Sequence, residues 1–146
     1  MTPERSAMFE KILVPIDFSE KSRSALNIAA KMAACNSAVI YLFHVIETIA
    51  DTSFEEFSEF YLRLERRAQS RMKEWMQLDI ETSVAVEPKI VFGNRWREIL
   101  NFSETHGIDL IVMHSHTVTP QDPAGGWGTI SYKVALLANC PVMLVK

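Results

Sequence analysis

Residues 109–129 read DLIVMHSHTVTPQDPAGGWGT. The segment begins as an apolar strand over 110–113. It then crosses two histidines, two prolines and a pair of glycines, and reaches Gly128-Thr129 at the start of a helical pattern. A strand that opens into a polar, glycine-bearing loop feeding a helix is where α/β proteins hold phosphates.

The rest of the chain supplies the frame for that loop. Residues 11–16 (KILVPI) form an apolar run ending at Asp17, with Pro15 where strand hydrogen bonding gives way. Ser19 offers an N-cap, and Leu26, Ala29, Ala30 and Ala33 recur at helical spacing, which predicts a helix over 20–34. Residues 38–46 (AVIYLFHVI) are nearly continuous in apolar side chains, the mark of a strand buried on both faces. Phe57, Tyr61, Leu64, Ala68, Met72 and Trp75 step by three or four, giving an amphipathic helix over about 54–78. Residues 83–92 carry a weaker strand pattern that Pro88 assigns to a sheet edge. Asn94 caps a helix over 95–106 with Trp96, Ile99, Leu100 and Ser103 inward, and Gly107 ends it. A strand over 109–114, a helix over about 129–138 and a strand over 142–145 complete the order. Strands alternating with helices imply a parallel sheet covered on both faces. Ligands then bind outside the carboxyl ends of the strands, at the loops after residues 16, 46 and 114.

The chain has 146 residues, enough for a single domain over 1–146 with a frayed stretch at 1–10. It is 48% apolar and carries a net charge of −3, so it has a core and no basic face for nucleic acid. Arg63, Arg66, Arg67, Arg71 and Lys73 cluster among Glu55, Glu56, Glu59 and Glu65, which reads as a solvated helix face. Cys35 reads as a buried thiol at a helix end and Cys140 as a structural thiol, in a reducing cytoplasm. No segment approaches the about 18 apolar residues of a membrane span. Phosphate loops of the GKS or GKT type, G-x-S-x-G elbows and G-x-G-x-x-G turns are all missing, so those enzyme classes have no support.

KILVPIDFSEKSRSAL, the strand ending in FHVIE, GIDLIVMHSH and the terminal CPVMLVK together resemble the universal stress protein family. The resemblance runs from Lys11 to the last residue. It implies a Rossmann-like five-stranded parallel sheet of order 3-2-1-4-5, of the adenine nucleotide alpha hydrolase kind. It also implies homodimers paired through the last strand, Val142–Val145. Many members bind ATP through G-x2-G-x9-G-[S/T] after the fourth strand. Here His114 and Thr117 stand where the first two glycines would be, Gly128-Thr129 match the last pair, and the gap before Gly128 is longer by one residue. The resemblance carries Asp17 to the ribose, Pro15, Val45 and Met113 to the adenine, and Gly128, Thr129 and Ile130 to the phosphates.

Side chains at His114 and Thr117 crowd a place where backbone should approach phosphate, and Pro120 and Pro123 remove amide donors. ATP is therefore the candidate ligand, with the phosphate half of its site altered, and no cofactor is assigned. The reading is a non-enzymatic stress-response homodimer with a degenerate nucleotide crevice and a protein partner. Three alternatives stay open: an ATP- or AMP-binding switch, a metal-linked protein using His114 and His116, and a weak ATP hydrolase without an evident base. Asp17 is read as a binding residue, with helix capping beside Ser19 as its plainer role. Trp127 is read as a crevice lid, with partial burial or a dimer contact as the plainer role.

Overall fold

The structure is a computed structural model that describes residues 8–78, 83–116, 120–121 and 129–146. The elements follow in strict alternation: β1 Lys11–Pro15, α1 Glu20–Asn36, β2 Val39–Glu47, α2 Ser58–Met76, β3 Ala85–Gly93, α3 Arg95–Thr105, β4 Leu110–His114, α4 Ile130–Leu137 and β5 Val142–Val145. The strands form one sheet, every neighbouring pair parallel, in the expected order β3-β2-β1-β4-β5. Pro88 does lie on an edge strand. No helix among the described residues is long and apolar enough to cross a membrane.

Side-chain alternation along the strands builds two cores. Ile12 and Val14 of β1, with Ile40 and Leu42 of β2, pack under Leu26, Ala29 and Ala33 of α1 and Met72 of α2. Leu13, Phe43, Val45, Ile111 and Met113 face the other way, against Ile99 and Phe102 of α3 and Val134 of α4. Ile12, Leu13 and Val14 have no solvent exposure, so the central strand anchors both layers.

The helix ends follow local chemistry. Ser19 and Asn94 accept from the amides of Ser22 and Arg97, as their N-cap assignments require. Gly107 takes φ 63°, the left-handed turn that ends α3. Helix α2 starts at Ser58 rather than near Phe54. The Phe54 ring stacks on Tyr61 at 5.0 Å and meets the Phe92 edge at 5.5 Å. The Tyr61 hydroxyl accepts from the Ile49 amide at 2.9 Å. Aromatic packing thus holds the segment before Ser58 out of the helix.

Residues 8–10, the described part of the N-terminal stretch, are hydrogen-bonded to the rest of the fold. Asn36 Oδ1 accepts from the amides of Met8 and Phe9, and Asp109 from those of Glu10 and Lys11. Cys35 is exposed rather than buried, because α1 turns Leu26, Ala29, Ala30 and Ala33 inward and Cys35 falls off that stripe. Cys140 is half-buried, and burial together with the Asp109 charge pushes its thiol up, away from reactive thiolate.

Gly93 ends β3 at φ 150°, and a Cβ there would lie 2.7 to 2.9 Å from the Glu98 side chain. Gly93→Ala should therefore cost about 1–3 kcal/mol of stability. A urea midpoint equal to that of the unaltered chain would refute this account of the turn.

Candidate functional site

The carboxyl ends of β1, β2 and β4 converge on a crevice. Its lining includes Pro15, Asp17, Val45, Met113, His114 and Ile130, so six of the eight residues expected at a ligand site come together. Thr129 sits beside them as the N-cap of α4, accepting from the Tyr132 amide. Gly128 lies outside the described residues, as do Thr117, Asp122, Pro123, Gly125, Gly126 and Trp127. The phosphate-side expectations that rest on them stay with the sequence.

Asp17 is the hub. Its Oδ1 accepts from the Ser19 amide at 3.0 Å and from the Ser22 hydroxyl at 2.6 Å. The Ser22 oxygen in turn accepts from the Asp17 amide at 3.0 Å. The local spacing D-x-S-x-x-S thus folds the carboxylate back onto the start of α1, as Asx turns do. Ser19 makes the cap itself, and Asp17 braces it through the Ser19 amide and the Ser22 hydroxyl, which leaves Oδ2 for the crevice. Burial works to raise the Asp17 pKa, but the Ser19 and Ser22 hydrogen bonds outweigh it. With His114 nearby, they hold the carboxyl well below the usual carboxylate range.

His114 claims the remaining oxygen. Its Nε2 lies 3.3 Å from Asp17 Oδ2, and its side chain is 14% exposed. Nε2 therefore carries the proton, and Nδ1 is buried without a hydrogen-bond partner among the described residues. His116 Nδ1 pairs instead with the Ser131 hydroxyl at 3.0 Å. Burial, aided by the charges of His114 and Arg95, pushes His116 below its ordinary value. The two imidazoles stand 5.5 Å apart with different partners. Among the described residues no three His, Cys, Asp or Glu side chains are placed to hold a metal.

The free volume at this crevice is about 30 Å³. That is room for roughly one water, against the hundreds of cubic ångströms that enclose a nucleotide-sized ligand. The wall is mostly apolar: Phe43 and Ile99 line it with Val45 and Met113.

A sequence model of the universal stress protein family matches residues 8–146. The chain belongs to that family. Universal stress protein YxiE of Bacillus subtilis is 30% identical, across 95% of this chain and 100% of its own. Universal stress protein MJ0577 of Methanocaldococcus jannaschii is 29% identical across 97% of both chains. The solved structure of MJ0577 superposes with a TM-score of 0.79, covering 95% of this chain and 96% of its own. Universal stress protein UspA from Lactobacillus plantarum reaches 0.80 over 94% and 98%, and at 23% identity it speaks for the fold.

Within this universal stress protein, sequence reasoning missed several crevice residues. Ile16, Phe43, Ile99 and Arg95 line the crevice. Arg95 follows Gly93-Asn94 at the carboxyl end of β3, the position from which a side chain reaches the ligand edge of such a sheet. That placement was the available signal. Ser22 carried none, since a serine in a first helical turn is ordinary.

Proposed function

We propose that this universal stress protein is a non-enzymatic, cytoplasmic homodimer whose crevice does not take up ATP in its present conformation. The observation that carries the reading is His114, whose imidazole is pinned on Asp17 at 3.3 Å over a space of about 30 Å³. A ribose would need the same carboxylate oxygen, and a nucleotide would need far more space than the crevice leaves. Two solved universal stress proteins, each 20% identical to this chain, are described in complexes with cAMP and with dAMP. At that identity they support the fold and leave the crevice to its own residues.

Calorimetric titration with ATP and magnesium tests the proposal. No saturable heat is expected up to about 1 mM ATP, and His114→Gly should tighten binding at least about tenfold. Micromolar ATP binding by the unaltered chain would overturn the reading. The apolar wall of Pro15, Val45, Met113 and Ile130 favours a second reading, an AMP-binding switch in which His114 swings aside. Saturable AMP binding, abolished by Met113→Glu while ATP gives none, would establish it.

A further inference from the structure

The basic run on α2 is exposed, as a solvated helix face would be, but its side chains border two different cavities. Arg66 and Lys73 line a groove between α2 and the β3 edge, beside Pro88. Arg67 and Arg71, one helical turn apart, line a different cavity of about 230 Å³. That cavity opens on the α2 side of the sheet, with Leu64 and Ala68 above and His44 and Ile46 below. Among the described residues it shares only Asp17, Val45 and Arg95 with the ATP-type crevice.

We propose that Arg67, Arg71 and Arg95 form a binding site in this cavity for a small phosphate monoester bearing hydroxyl groups. Three guanidinium groups face two carboxylates, those of Asp17 and Glu47. Asp17 is already engaged by Ser19, Ser22 and His114. Glu47 meets Arg95 at 3.8 Å, a loose pair with both side chains partly in water. Among the described residues Arg67 has no ion pair or hydrogen bond, and Arg71 lies over the Phe18 ring at 5.8 Å from its centroid. Positive charge is thus in excess here, on a chain of net charge −3. Guanidinium forks of this kind match phosphate oxygens with charge-assisted hydrogen bonds.

The floor is rigid and offers an acceptor. Phe18 is held by the His44 ring at 4.5 Å and the edge of Trp75 at 5.6 Å. It keeps φ 63°, a left-handed conformation uncommon for a bulky residue. His44 Nδ1 donates to the Ile16 carbonyl at 2.8 Å. Burial and the nearby arginines keep the ring neutral, so Nε2 is an acceptor. With Glu47 it suits the hydroxyl groups of a sugar phosphate rather than a bare anion. The volume suits such a ligand and is small for a triphosphate.

Calorimetry in phosphate-free, low-salt buffer decides the matter, with ribose 5-phosphate, inorganic phosphate and ribose as probes. Ribose 5-phosphate should saturate below about 1 mM, inorganic phosphate about tenfold more weakly, and ribose not at all. Arg67→Ala/Arg71→Ala should weaken the sugar phosphate at least about tenfold. Arg66→Ala/Lys73→Ala, on the same helix but in the other groove, should leave it unchanged. The proposal is overturned if ribose 5-phosphate fails to saturate by about 10 mM, if ribose alone binds as well, or if both double variants weaken binding equally. Arg67 and Arg71 do not line the ATP-type crevice, so their double variant keeps this result separate from that of the ATP titration.

Discussion

In the proposed homodimer, lysine at Leu136 and Met143 together should give a monomer of 16.6 kDa while leaving the fold intact. The argument begins with the two sheet edges. The β3 edge carries Glu87, Pro88 and Lys89, the charges and proline that discourage strand addition. The β5 edge is Val142-Met143-Leu144-Val145, with no charge and no proline. The carbonyls of Pro141 and Val145 accept from Ile111 and Ser115 on the β4 side. Alternation then turns the amides and carbonyls of Val142 and Leu144 outward, ready to pair with another strand. Beside that edge, Leu136 is 64% exposed, Leu137 54% and Met143 37%. A twofold interface would use each position twice, so the double variant places four ammonium groups in it. Burying a leucine or methionine is worth about 1.5–3 kcal/mol, so the dimer constant should weaken more than about a hundredfold. Light scattering after size exclusion reads the change directly. The unaltered chain should run at twice the single-chain mass. A monomer there, or a double variant that remains a dimer with the same thermal midpoint, would remove β5 and α4 from the interface.

How far such conclusions could be reached without coordinates depends on the range of the interaction. The alternation of β1 with α1, and the caps at Ser19 and Asn94, are local, and period and spacing reveal them. Phe102 was overlooked on the inner side of α3 although it packs on Phe43 at 4.7 Å, because its partner comes from another strand. The start of α2 was misplaced for a similar reason: Phe54 answers to Tyr61 and Phe92 rather than to its own helical period. Cys35 shows the converse, where residue type argued for burial and the helical stripe decided against it. At the site, the strand order puts Asp17 and His114 on neighbouring strand ends, but their pairing with each other, across 97 positions, is a matter of side-chain geometry that no pattern predicts. The same holds for Arg95 beside Arg67 and Arg71, which a run of alternating charges on α2 had concealed.

Asp17→Ala should remove about 2–3 kcal/mol of stability at neutral pH. The carboxylate joins the end of β1 to the first turn of α1 through Ser19 and Ser22, and to β4 through His114. Its loss strips partners from a serine with no solvent exposure and from a mostly buried imidazole. Hydrogen bonds to a charged group are worth about 1.5–3 kcal/mol, but Asp17 is one third exposed and water screens part of this, so the contacts do not simply add. The pH dependence gives the claim a direction. The folded-state pKa is held below the usual carboxylate range, so the unfolded chain takes up the proton first as pH falls. The stabilisation is therefore complete above the unfolded value of about 3.9 and declines as pH drops below it towards the folded value. Urea unfolding of both chains should show a wide gap at about pH 7 that narrows by about pH 3. A gap below about 0.5 kcal/mol at neutral pH, or one that stays constant into acid, would mean that Asp17 is not the hub of the crevice. The same variant frees His114 Nε2, so it also separates two causes of a closed crevice. If ATP still fails to bind Asp17→Ala/His114→Gly although it binds His114→Gly, the carboxylate is needed for the ribose. If both variants bind alike, the imidazole alone kept the nucleotide out.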